Sequence, residues 1–107
     1  MRPFSIWAAE QIEIVCQRND YPRPGKPLKP PWETQPPEIL YEKIWEECLE
    51  VIEAFLDWRE DPTDKNRDEL KWELADVAAT AMMLSARLDP VLSGLRRGRV
   101  REREFPE

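Results

Sequence analysis

Seven of the chain's 11 prolines fall within residues 21–37, a stretch that reads Tyr-Pro-Arg-Pro-Gly-Lys-Pro-Leu-Lys-Pro-Pro-Trp-Glu-Thr-Gln-Pro-Pro. Each proline removes a backbone donor and biases the residue before it toward extended conformations, so the segment can be neither a helix interior nor a central strand. It reads as an extended connection. It is longer than most loops of compact domains, which favours a packing or functional role over a simple spacer.

On either side of this break the apolar residues follow a helical period. Residues from about Phe4 to Arg18 carry Phe4, Ile6, Trp7, Ile12, Ile14 and Val15 in an amphipathic pattern that ends at Asn19-Asp20. A second helix starts just after Pro37, since proline suits a first turn, and runs to about Trp58. Its expected stripe is Ile44, Cys48, Val51, Ile52 and Phe55, and Asp61-Pro62 stops it. Asp64 is the expected cap of a third helix over 65–88, with Leu70, Leu74, Val77, Ala81, Leu84 and Leu88 as its buried stripe. Asp89-Pro90 ends that helix or restarts it as a short fourth one through about Leu95. The predicted fold is all-α: an antiparallel helical hairpin extended to a three- or four-helix bundle, with the Pro-rich loop (20–37) after the first helix. Residues 1–95 form one domain and 96–107 a charged tail. Roughly 70 residues remain to build a core, near the lower limit for independent stability. With five tryptophans to cover, the chain is expected to form a homodimer or homotetramer.

Composition narrows the chemistry. The 107 residues include no histidine, which excludes His-based triads, the usual N/S zinc sites and His-containing di-iron sites. Two cysteines, Cys16 and Cys48, suit a reducing cytosol rather than a disulfide scaffold. A net charge of −6 disfavours nucleic acid as a partner. No apolar run is long enough to span a membrane and no signal-peptide pattern opens the chain, so the expected location is cytoplasmic. The 22 Asp and Glu residues, by contrast, can bind hard divalent cations through oxygen.

Five of those acids form a pattern. The chain reads EECLE over 46–50 and, 22 residues later, ELAD over 73–76. Positions three apart share a helical face, so Glu47 converges with Glu50, and Glu73 with Asp76. An acid-rich helix ordinarily solvates a face or pairs with lysine, and EExxE alone carries little. The second pair, the short link between the helices and the position of the acids at the edge of the apolar stripes tip the balance. Four carboxylates in one pocket need a cation, and oxygen-only ligands select magnesium or manganese.

EExxE on one helix followed by ExxD on the next resembles the MazG-like all-α nucleoside triphosphate pyrophosphohydrolases, a group that includes dimeric dUTPases, dCTP pyrophosphatases and phosphoribosyl-ATP pyrophosphatases. The similarity spans about residues 39–90, and Lys43 ahead of the motif is part of it. The resemblance implies that Glu47, Glu50, Glu73 and Asp76 hold magnesium, that Glu46 helps to orient water, and that the products are a nucleoside monophosphate and pyrophosphate. The tail departs from the family pattern, with Arg101 where an asparagine is usual, so the resemblance gives it no role.

Without histidine, a carboxylate must take the attacking water's proton, and Glu46 or Glu50 is the candidate. Lys43, four residues before Glu47, and Arg87, eleven after Asp76, are candidate phosphate contacts, each to be set against a plain surface charge. Trp58, eleven residues after Glu47, is either a base-stacking platform or a packing residue. The alternative reading is a non-catalytic interaction or accessory protein that keeps the bundle.

Overall fold

The computed structural model describes residues 1–20, 24–25 and 32–89. Among them are three α-helices, α1 (Pro3–Asp20), α2 (Pro37–Glu60) and α3 (Asp64–Leu88), and a 3-10 turn at Trp32–Thr34, with no strand. The all-α expectation holds. The proposed fourth helix and the tail from Arg96 lie outside the described residues, as does most of the Pro-rich segment. Within that segment Gly25 has φ +76, a conformation that favours glycine and marks a Pro24-Gly25 turn.

Local chemistry sets the helix ends. Pro36 is extended (φ −59, ψ 146) and Pro37 occupies the first turn of α2, where its missing N–H goes unneeded. The backbone N–H of Asp61 closes the last turn by donating to the Asp57 carbonyl at 2.9 Å. One expectation is corrected here. The cap of α3 is Thr63, whose Oγ1 accepts from the Asn66 N–H at 3.2 Å, while Asp64 is already in the first turn and complements the helix dipole there. Asn66 also spans the turn, its Nδ2 donating to the carbonyls of Asp61 at 2.9 Å and Asp57 at 3.4 Å. One side chain therefore joins the end of α2 to the start of α3.

α3 is the central element: it packs most extensively on α2 and also meets α1 and the 3-10 turn. Contacts between Glu47 and Thr80 and, nearer the turn, between Glu50 and Glu73 show that α2 and α3 run antiparallel. The buried stripes differ from the expected ones. Ile44, Cys48, Val51, Leu70, Val77 and Leu84 are half-buried, whereas Ile52, Phe55, Leu74, Ala81 and Leu88 are exposed. The fully buried positions of the hairpin are Leu40, Glu47, Ala79 and Thr80. The reason is that α3 serves two neighbours, so its inward arc turns toward Ala79, while the apolar arc of α2 is too broad for a single partner to cover. α1 contributes Val15 to the interior and lays the Arg18 guanidinium 4.4 Å over the Trp72 ring, leaving Phe4, Ile6, Trp7 and Ile14 exposed. Arg87 Nε donates to the Gln35 carbonyl at 3.3 Å, tying the chain after the 3-10 turn to the end of α3. No helix among the described residues is long and apolar enough to cross a membrane.

Candidate functional site

The hairpin seam is acidic at its centre. Glu47 is only 7% exposed and accepts a 2.6 Å hydrogen bond at Oε1 from the hydroxyl of Thr80, which is itself buried. Burial raises the Glu47 carboxyl above its usual 4.5. The Thr80 bond and Lys43 oppose that rise, and the charges of Asp76 and Glu50 add to it. Glu73 is pushed up to about 7, first by burial, then by its hydrogen bond with Glu50 and by the charges of Glu50, Asp76 and Glu69. The fold thus brings Glu47, Glu50, Glu73 and Asp76 into one electrostatically linked set, with Lys43 one turn from Glu47.

Other candidates stand apart. Glu46 is exposed on the solvent side of α2. Trp58 is half-buried and packs against Phe55 with ring centroids 6.1 Å apart. At 1.5 Å per residue it stands roughly 16 Å along the axis from Glu47, toward the turn. Arg87 is a similar distance from Asp76 in the opposite direction, with a bond to the Gln35 backbone. Both residues share a helical face with the acids and differ from them in height along the hairpin.

Thr80 went unnoticed in the sequence. It stands four residues after Asp76 and seven after Glu73, on their face, and is the lone hydroxyl in the run Val-Ala-Ala-Thr-Ala-Met-Met. That isolation was the available signal.

Among the described residues no group of three or more His, Cys, Asp or Glu side chains is disposed to hold a metal ion. Glu50 and Glu73 lie within hydrogen-bonding reach of each other across the seam. The residues nonetheless fit a divalent ion. Oε2 of Glu73 is buried without a hydrogen-bond partner, and the charges of Glu50 and Asp76 act on the same side chain. A donor set made only of carboxylate oxygens suits magnesium or manganese.

Fold and site together define a helical hairpin with a polyacidic seam. No protein-family model, no curated protein and no solved structure matches the chain. The resemblance to MazG-like enzymes rests on the spacing of the acids.

Proposed function

We propose that the protein is a magnesium-dependent nucleoside triphosphate pyrophosphohydrolase, of the kind that clears nucleotides from the pool, with manganese as a substitute ion. The observation that carries this reading is the electrostatic linkage of Glu47, Glu50, Glu73 and Asp76 along the seam, together with the unpartnered Glu73 oxygen. Bound there, the cation would neutralise triphosphate charge and align a water for in-line attack. The chain's own residues do the rest. Lys43 supplies positive charge one turn from the acids. Glu50, or Glu46 from the solvent side, takes the water's proton as oxygen bonds to the α-phosphorus and the α–β anhydride breaks, releasing monophosphate and pyrophosphate.

The active unit is a homodimer or homotetramer. Tyr41, Trp45, Leu49, Ile52 and Leu56 form an exposed row on the back of α2, opposite Leu40 and Glu47. Phe55, Leu74 and Leu88 are exposed on the side of the hairpin that α1 leaves uncovered. At on the order of 100 Å² of exposed surface each, these eight side chains offer roughly the 800 Å² per partner of a standard interface. Glu42 and Glu53 are exposed on α2, and Lys71 is exposed on α3. A second copy satisfies both features at once.

The deciding experiment is a pyrophosphate-release screen over natural and modified nucleotides with magnesium and with manganese. Pyrophosphate and monophosphate in equal amounts are expected. Single phosphate without pyrophosphate would overturn the assignment, and no turnover across the panel would favour the interaction-protein alternative.

A further inference from the structure

The Thr80–Glu47 bond has features that simple burial of a polar pair does not require. It links two helices through residues 33 apart, and its 2.6 Å length falls in the range of a hydroxyl donating to an ionised carboxylate. A helical threonine ordinarily turns its hydroxyl back to the carbonyl one turn earlier. Here the single hydroxyl proton goes across the seam, so the threonine gives up that local bond. Both side chains are buried, at 5% and 7% exposure, where a close-packed apolar pair would be cheaper to keep. The hydroxyl meets one oxygen of Glu47, and no other hydrogen bond to Glu47 exists among the described residues. Along the seam, Glu50 stands against Glu73 nearest the turn, and Glu47 against Thr80 farthest from it, with Asp76 one turn from each of the two α3 residues.

We propose that Thr80 is a positioning residue of the metal site: its hydroxyl holds Oε1 of Glu47 so that Oε2 is presented toward a divalent cation shared with Glu50, Glu73 and Asp76. This inference rests on the metal-site reading above and adds a residue to it. Thr80 does not touch the ion or the nucleotide and acts only through Glu47. Donation to the carboxylate also favours its ionised form, opposing the effect of burial. The β-branched side chain, restricted at χ1, passes that constraint to its partner at little entropic cost.

The test is manganese binding to the full chain, measured by calorimetry with the metal alone, beside the thermal midpoint of the metal-free protein. Thr80→Val removes the hydroxyl at similar volume and is expected to weaken manganese binding about 10- to 100-fold, the range for residues that orient metal ligands. Thr80→Ser keeps the donor and should stay within about threefold of the parent. Should the valine variant not fold, Thr80→Ala is read the same way. In the Glu47→Gln background, Thr80→Val is expected to cause no further loss, because its effect passes through that carboxylate. Manganese affinity unchanged in both Thr80→Val and Thr80→Ala would reduce Thr80 to a packing residue, whatever happens to the midpoint. If the parent itself binds no manganese, the metal-site reading fails first and this inference with it.

Discussion

The seam and the back of α2 invert the usual order of a small domain. Facing α3, where apolar contact is expected, the most buried positions include a carboxylate and a hydroxyl, Glu47 and Thr80. On the opposite face, where charge is expected, Trp45 and Leu49 are each 61% exposed. The buried apolar set among the described residues is Val15, Leu40 and Ala79. Stability and function are therefore in tension within the hairpin: the seam gives up packing to hold acids, and the apolar surface that could offset the loss points outward. The proposed second copy would resolve the tension by converting the outer face into a core.

The largest expected effect is on the seam. Glu50→Gln or Asp76→Asn should lower pyrophosphate release at least about a hundredfold and abolish any rise of the thermal midpoint with magnesium. A variant that loses turnover but keeps the magnesium-dependent rise would separate the acids from the cation. Next comes the outer face. Trp45→Glu places a charge in the centre of the row and should cost on the order of 2–4 kcal/mol of association, seen as monomer by sedimentation. A parent that is already monomeric at micromolar concentration would break the comparison on this side.

A third effect follows from Glu73. Its carboxyl has an ordinary value of 4.5 and is pushed up to about 7 in the fold, so the folded chain keeps its proton longer. The stability that Glu73 contributes in the metal-free protein is then full below about 4.5 and is lost as pH rises through about 7. Denaturation midpoints at pH 5 and pH 8 should show this decline, and Glu73→Gln should flatten it. The smallest effect is at the turn. Asn66→Ala removes two hydrogen bonds to backbone carbonyls and should cost about 1 kcal/mol by chemical denaturation, with activity retained.

What could be read in the sequence follows from which forces are local. Pro37 and Asp61-Pro62 set the limits of α2 through backbone chemistry alone, and the bounds of all three helices came within two residues of the structure. The cap was misplaced by one position because Thr63 and Asp64 are adjacent and both able to accept, and only the backbone path selects between them. The stripes were partly misread because period reports an apolar arc without saying which neighbour covers it. Ile52 and Leu74 belong to their arcs and still face outward. Each acid pair shares a face of its own helix, since i and i+3 fix a face within one helix. Trp58 and Arg87 depended on height along the hairpin, and Thr80 on contact with a residue 33 positions away; neither is recorded in local spacing.

The Asn66 link at the turn bears on the order in which the chain assembles. It joins α2 to α3 across three residues, so the hairpin closes a very short loop, whereas α1 must close one that includes the whole Pro-rich stretch. Closure entropy grows with loop length, and contacts of low sequence separation form soonest. The hairpin can therefore gather its acids before α1 docks, and α1 becomes the unit able to detach while the seam stays intact.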